Sequence, residues 1–361
     1  MTKNKRIGIL TSGGDCAGLN AALRAVVYAA SAKGWEVLGI EDGTSGLLSH
    51  PLRYKTLTKA MFDTSVMRLG GTILGTTNKG NPFRFPMPDG SVKDLSDDII
   101  AGLKSLEVEA LIGIGGDGSM DILRKLAQRG KFNLIGIPKT IDNDVGKTEV
   151  AIGFETAVYV ATEALDRLQP TAASHDRVMV LEVMGRDAGN IALSAGISGG
   201  ADVILIPEIP YSIDKVAEKI MAVREGEGRN FALVVVSEAA KASDGGALKV
   251  EHVDGEKRYG GIGHYLGDKI AAKTGCETRV TVLGHVQRGA APLHSDRLIA
   301  AAFGVHAVDL VAAGRFDRMV AWSNRKVIDV PIEDAIASYQ AVDLNGTLVH
   351  TARALGICLG D

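Results

Sequence analysis

An α/β fold with mainly parallel sheets is predicted by three features of the 361-residue sequence. Short apolar runs recur along it, and most end in glycine, proline or a charged turn. Several are apolar at consecutive positions, the pattern of strands covered on both faces. Helical patterns lie between them, so strand and helix alternate throughout. In order, residues 6–10 form a strand that ends at Thr11-Ser12-Gly13-Gly14, and an alanine-rich helix follows over 21–32. Strands are expected over 36–40, which runs into Glu41-Asp42-Gly43, and over 110–114, which ends at Gly115-Gly116. A helix over 120–129 leads to a strand over 133–137 that stops at Pro138, and a longer helix covers 155–168. Strands over 177–183 and 202–206 end at Met184-Gly185 and Pro207; a helix over 212–224 separates them from strands over 231–236 and 279–283. Eight or more such strands suggest two doubly wound sheets, with a closed eightfold barrel as the competing layout. There is no Pro- or Ser-rich linker, low-complexity tract or internal repeat. Residues 241–261, with Gly245 and Gly246 among many charges, read as a polar surface loop or hairpin.

Composition narrows the function classes. Apolar residues make up 46% and charged residues 23%, a balance that excludes a mainly disordered chain. No apolar run approaches the ~18 residues of a membrane span. Forty basic against 43 acidic residues give a net charge of -3, so neither nucleic acid nor an anionic membrane is expected as a partner. The 44 glycines and 5% aromatics fit a backbone that turns tightly or comes close to a ligand. Cys16, Cys276 and Cys358 are far apart and form no Cys-x-x-Cys pair, which argues against a disulfide scaffold or zinc site and for a reducing compartment. The apolar stretch behind Lys3, Lys5 and Arg6 is too short for a signal peptide. A cytoplasmic protein is expected.

In open α/β sheets ligands bind beyond the carboxyl ends of the strands. After the first strand, Thr11-Ser12-Gly13-Gly14-Asp15 leads into a helix, and its glycines would let backbone N–H groups approach a phosphate. Such a turn also serves tight packing alone. Gly115-Gly116-Asp117-Gly118-Ser119 has the glycines, carboxylate and hydroxyl that suit a polyphosphate with Mg²⁺; the bland reading makes Asp117 and Ser119 helix caps. Pro138-Lys139-Thr140-Ile141-Asp142-Asn143-Asp144 carries two carboxylates. Either they hold a turn, or one accepts the proton of an attacking hydroxyl, as phosphoryl transfer requires. Met184-Gly185-Arg186 and His285-Val286-Gln287-Arg288 follow later strands. With Arg177 and Arg279 they give four arginines and a histidine at or beside strand termini. Isolated arginines usually form weak surface ion pairs, but a group of four suits a phosphorylated substrate.

Together these segments resemble the 6-phosphofructokinases, and the likeness runs through nearly the whole chain. The series Thr-Ser-Gly-Gly-Asp, Gly-Gly-Asp-Gly-Ser, Lys-Thr-Ile-Asp-Asn-Asp, Met-Gly-Arg and Glu-Thr-Arg-x7-Gln-Arg-Gly, in this order, carries it. The resemblance implies transfer of a phosphoryl group to the 1-hydroxyl of fructose 6-phosphate. It makes Asp142 the general base, with Thr140 holding the sugar, Asp117 the Mg²⁺ ligand, and Arg186 the arginine that stabilises charge on the transferring group. Gly14, Lys79, Gly80, Gly116, Asp117, Gly118 and Ser119 would face the phosphates of the donor. Thr140, Ile141, Asp142, Met184, Gly185, Arg186, Glu238, His285, Val286, Gln287 and Arg288 would line the sugar phosphate. Arg177 and Arg279 would reach it from a neighbouring subunit of a homo-oligomer, a dimer of dimers.

The implied fold is two Rossmann-like α/β domains with the site in the cleft: 1–152 plus about 287–338 for ATP, and about 153–286 plus 339–361 for the sugar phosphate. Three positions depart from the bacterial ATP enzymes. Lys79 replaces an arginine, and Lys139 replaces a glycine, as in pyrophosphate-dependent relatives. Gly118, by contrast, stands where those relatives have aspartate. The mixture resembles the long, mixed-substrate subgroup and favours ATP as donor. A pyrophosphate-dependent enzyme and a non-catalytic sugar-phosphate sensor are the rivals. In the first helix Arg24 matches one effector arginine and Tyr28 replaces another, while Glu227-Gly228-Arg229-Asn230 lacks the paired lysines of those enzymes, which points to altered control.

Overall fold

The structure, a computed structural model, describes residues 5–78, 80–226, 228–243, 245–251 and 257–361. Two compact units emerge, each from discontinuous segments: Met1–Glu155 with Arg288–Tyr339, and Thr156–Gln287 with Gln340–Asp361. Both are α/β, and both sheets are open, which removes the closed barrel.

The first unit is built on a seven-stranded sheet in the order Lys326–Pro331, Arg318–Ser323, Asn133–Pro138, Ala110–Gly115, Arg6–Thr11, Glu36–Ile40, Tyr54–Leu57. The five central strands run parallel; Lys326–Pro331 and Tyr54–Leu57 are antiparallel edges. Ile7, Ile9, Leu10, Ile112, Ile114, Ile135 and Ile137 are all fully buried, which explains the unbroken apolar runs. Each such side chain contributes about 1.5–3 kcal/mol when fully buried. Helix Asp117–Gly130 turns Met120, Leu123, Leu126 and Ala127 inward at helical spacing. Helix Leu19–Ala32 packs on His294–Ala312 so closely that a Cβ on Gly304 would lie 2.7 Å from that of Ala25.

The second unit has four parallel strands in the order Thr278–Val282, Val178–Val183, Ala232–Ser237, Val203–Leu205. Val178, Val180, Val203, Leu205, Val234 and Val236 are buried against Val216 and Ile220 of helix Ile213–Glu225 and Leu266 and Ile270 of helix Ile262–Thr274. Within the polar stretch 241–261, the described residues form an antiparallel pair, Lys249–Glu251 with Lys257–Tyr259. Helix Phe154–Ser174 runs six residues past its expected end and carries Pro170 inside it. Among the described residues no helix is long and apolar enough to cross a membrane.

Candidate active site

The first unit's strand order fixes where its ligand site lies. From Arg6–Thr11 the sheet grows toward Glu36–Ile40 on one side, and from Ala110–Gly115 toward Asn133–Pro138 on the other. The switch point is therefore between Arg6–Thr11 and Ala110–Gly115, at their carboxyl ends. Three loops leave there and are tied together by backbone. Ser12 N–H donates to the Ile114 carbonyl at 2.9 Å, Gly13 N–H to Thr77 at 2.9 Å, and Lys139 N–H to Gly115 at 3.0 Å.

Side chains then close around the first loop. The Lys139 ammonium donates to the Gly14 carbonyl, and Arg288 Nη1 donates to that of Asp15 at 3.0 Å. A Cβ on Gly14 would lie 2.5 Å from Arg288 Nη1, so the absence of a side chain there makes room for the arginine. Gly14 thus has a packing reason to be glycine. Lys139 is only 4% exposed, and burial lowers its pKa below the usual lysine value; Arg288 adds to this while Cys16, Asp142 and Asp15 oppose it. Cys16, fully buried, donates its thiol to the Ile152 carbonyl at 3.3 Å, and burial pushes its pKa up to about 12. That thiol is unreactive at neutral pH.

Helix Asp117–Gly130 starts in this region with Gly116 as N-cap and no side-chain cap bond, so neither Asp117 nor Ser119 is spent as the N-cap. The side chain of Ser119 instead packs on Gly115, with its Oγ 3.1 Å from where a Cβ of Gly13 would sit. Gly118 faces open space, with nothing within 4 Å of an added Cβ. Among the described residues no three His, Cys, Asp or Glu side chains form a metal cage. Mg²⁺ at phosphate sites takes one or two carboxylates and completes its shell with phosphate oxygens and water, so Asp117 in the helix's first turn fits as a single protein ligand.

Beyond Lys139, the loop folds on itself. Thr140 Oγ1 donates to Asp142 Oδ2 at 3.3 Å and accepts from Asp142 N–H at 3.1 Å. Asn143, at φ 53°, donates to the Glu149 carbonyl and accepts from Ala151 N–H. Ile141 is fully buried, and Asp142, Asn143 and Asp144 are 7%, 8% and 3% exposed. A carboxylate held this firmly and this dry suits proton transfer. Sequence reasoning missed the brace behind it. Asp296, fully buried, accepts from Gly153 N–H at 2.8 Å, and Ile152 N–H in turn reaches the Pro138 carbonyl. Nothing in the local sequence around Asp296 announces this. Gly80 packs on the Phe85 ring; Lys79 lies outside the described residues.

In the second unit the carboxyl ends of three strands release Met184–Arg186, Glu238 and the turn Gly284–Gln287. Met184 N–H donates to Gln287 Oε1 at 2.8 Å; Gly185 and Arg186 N–H both donate to Glu238 Oε1, at 3.2 and 2.9 Å. Gly185 sits at φ 156° and Arg186 at φ 52°. The left-handed region costs a non-glycine residue about 1–2 kcal/mol. The Arg186 side chain is 61% exposed and 3.9 Å from Asp187, which accepts from the Tyr259 hydroxyl. That bond pushes the Tyr259 pKa up to about 12. His285 and Val286 are exposed, whereas Gln287 is buried.

Within the second unit, Arg177 and Arg279 lie away from Arg186. Arg177 precedes strand Val178–Val183, and Arg279 is the second residue of Thr278–Val282; both pair with Glu277. They sit at the amino ends of these strands, while Arg186 leaves the carboxyl end. Six strand residues separate Arg177 from the carboxyl end of Val178–Val183, about 20 Å at the usual rise, and three separate Arg279 from the end of Thr278–Val282, about 10 Å. Arg288 belongs to the first unit and is bonded beside Gly14.

The sequence matches the family described as phosphofructokinase over residues 6–311. It is 63% identical over 362 residues to the ATP-dependent 6-phosphofructokinase 1 of Synechocystis sp., covering 100% of both chains. Among solved structures, phosphofructokinase from Saccharomyces cerevisiae aligns at a TM-score of 0.76 and 28% identity, covering 98% of this chain and 47% of the yeast chain, so this chain spans about half of it. A pyrophosphate-dependent phosphofructokinase from Marinobacter aquaeolei aligns at 0.79 and 22% identity, covering 98% and 88%, a likeness of fold alone. The chain belongs to the phosphofructokinase family.

Proposed function

We propose that this chain transfers the γ-phosphoryl group of ATP to the 1-hydroxyl of D-fructose 6-phosphate, giving fructose 1,6-bisphosphate and ADP in glycolysis. The observation that carries this reading is the 63% identity, end to end, to a relative named for that ATP-dependent reaction. The geometry supports it with a buried carboxylate, a glycine-lined helix start and a held arginine turn at the carboxyl edges of the two sheets.

The first unit binds the phosphoryl donor through Gly14, Lys79, Gly80 and Gly116 to Ser119, and the second binds the sugar phosphate. Asp142 accepts the proton of the 1-hydroxyl as the oxygen attacks, while Thr140 holds the carboxylate. Ile141, Met184, Gly185, Glu238, His285, Val286 and Arg288 line the sugar phosphate, with the buried Gln287 behind them, and Arg186 stabilises charge on the transferring group. Asp117 would hold Mg²⁺ beside the donor phosphates, where the ion would supply neutralisation of developing charge.

Arg177 and Arg279 serve the sugar phosphate of a neighbouring subunit in a cytoplasmic homotetramer. Arg177 lies about 20 Å from the carboxyl end of its strand and Arg279 about 10 Å from that of its own, both away from the loops that carry Arg186, and this supports their service to another chain's sugar. The donor choice rests on Gly118. Its open face leaves room for the α-phosphate of a nucleotide, which an aspartate would fill with a negative charge. Lys139 favours the second reading, pyrophosphate, but its buried ammonium excludes neither donor.

Phosphorus NMR of the reaction with fructose 6-phosphate and MgATP tests the reading. The expected result is a second sugar phosphate ester, at C1, appearing together with ADP. Tight fructose 6-phosphate binding without transfer from ATP or pyrophosphate would replace it with the sensor reading.

A further inference from the structure

The turn that presents Arg186 is held by an amide that contributes only half of its hydrogen-bonding capacity to the protein. Gly185 and Arg186 both have positive φ, at 156° and 52°, and a Cβ on Gly185 would come within 2.6 Å of the Ala188 carbonyl oxygen. Backbone of this kind persists only where its surroundings over-determine it. Here three consecutive N–H groups are held by two side chains, the first by Gln287 and the next two by Glu238. Glu238 is partly exposed and has work to do at the sugar. Gln287 has none that its burial allows: it is 0% exposed, while His285 and Val286 beside it are exposed. Its Oε1 accepts from Met184, and its Nε2 has no hydrogen-bond partner among the described residues. Exchanging the two amide atoms would set an N–H against the Met184 N–H, so the Met184 donor fixes the orientation. A buried amide with an unmet donor is costly to keep. The contact that explains its presence is the oxygen on Met184.

We propose that Gln287 is a positioning residue for phosphoryl transfer: by accepting the Met184 N–H it locks the left-handed turn that aims Arg186 at the transferring group. This rests on the reading of Arg186 given above. Gln287 touches no reacting atom in this account. It acts through the backbone of residues 184–186, from a position more than one hundred residues along the chain.

Steady-state kinetics and amide hydrogen exchange on the full chain test the proposal with Gln287→Met, which keeps the length but loses the oxygen, and Gln287→Glu, which keeps an oxygen. Gln287→Met lowers kcat roughly 10- to 100-fold, the scale of a misplaced catalytic group, with KM for fructose 6-phosphate within about threefold. Gln287→Glu restores most of kcat. The Met184 amide exchanges faster in Gln287→Met and stays protected in Gln287→Glu. On an Arg186→Ala background, Gln287→Met adds no further loss, because the residue it aims is gone. If Gln287→Met does not fold, Gln287→Asn, whose amide is too short to reach Met184, replaces it with the same expectations. The proposal is overturned if kcat survives loss of the oxygen, if Gln287→Glu is no better than Gln287→Met, or if the Gln287 and Arg186 losses multiply in full. If Arg186→Ala alone leaves kcat intact, the reading of Arg186 fails instead, and exchange at Met184 still decides whether the clamp exists.

Discussion

The carboxyl edge of the first unit's sheet presents glycine-rich backbone with side chains packed around it, whereas in the second unit side chains hold a strained backbone turn. In the first, the Arg288 guanidinium stands beside Gly14 where a Cβ would be, and Gly118 opens onto empty space. Phosphates are well served by such a surface, since N–H groups and a helix start recognise charge and shape without a side chain's freedom to move. In the second unit, Glu238 and Gln287 reach across from other strands to hold a turn that glycine and arginine would not adopt alone. A sugar phosphate carries hydroxyls in specific places, and side chains on separate strands can match them. With the donor on the first edge and the acceptor on the second, as proposed, the donor edge should be sensitive to added volume or charge, and the acceptor edge to lost contacts.

The sharpest way to break this contrast is to add one carboxylate to the donor edge. Gly118→Asp should fold normally, because nothing lies within 4 Å of the new Cβ and an acidic residue suits a helix's first turn. ATP-dependent turnover should nonetheless fall below detection, with thermal melting unchanged. Next in size is Asp142→Asn, which should lower kcat by roughly a hundredfold or more, the scale of a general base, with fructose 6-phosphate binding nearly intact by calorimetry. Retained turnover within a factor of a few would remove Asp142 from that role.

Gly14→Ala comes third. Its methyl group displaces the Arg288 guanidinium and breaks the bond to the Asp15 carbonyl, a loss of about 1.5 kcal/mol for a charged hydrogen bond, or about tenfold in kcat/KM. The smallest effect is on stability. Burial lowers the pKa of Lys139, so between its folded value and 10.5 the unfolded chain binds more protons, and this group's contribution to stability rises with pH. Below the folded pKa the penalty is fully present. Lys139→Met should therefore be the more stable where the penalty is full, with the gain shrinking toward pH 10.5 in a series of thermal melts. An advantage that grows with pH would contradict this sign.

Much of the fold was legible because burial writes itself into the strands. Runs such as Ile112 to Ile114 are apolar without alternation since helices cover both faces, and that alone implied parallel sheets. The edge strand Lys326–Pro331 was not singled out, because an antiparallel edge is only partly covered and mixes polar with apolar positions; Arg318–Ser323 beside it has only Met319, Val320 and Ala321 fully buried, too short an apolar run to stand out. Helix Phe154–Ser174 passes through Pro170, where local propensity argues for a stop and packing of Ala172 carries it on. In the site, glycines and carboxylates were readable as chemistry, but register was not. Arg177 and Arg186 look alike in sequence; only strand direction puts them at opposite ends of one sheet. Gln287 and Met184, or Asp296 and Gly153, meet solely through the fold, and no spacing rule connects them.

That ATP is the phosphoryl donor, admitted because position 118 is glycine, is what the proposed function turns on. It is tested most directly by initial rates of the unmodified chain and of Gly118→Asp, each with fructose 6-phosphate and saturating MgATP or magnesium pyrophosphate. Rapid turnover with ATP and little with pyrophosphate is expected for the unmodified chain, with loss of the ATP rate in the variant. A chain that uses pyrophosphate and ignores ATP, or a variant that keeps its ATP rate, would contradict it and make Lys139 the deciding residue.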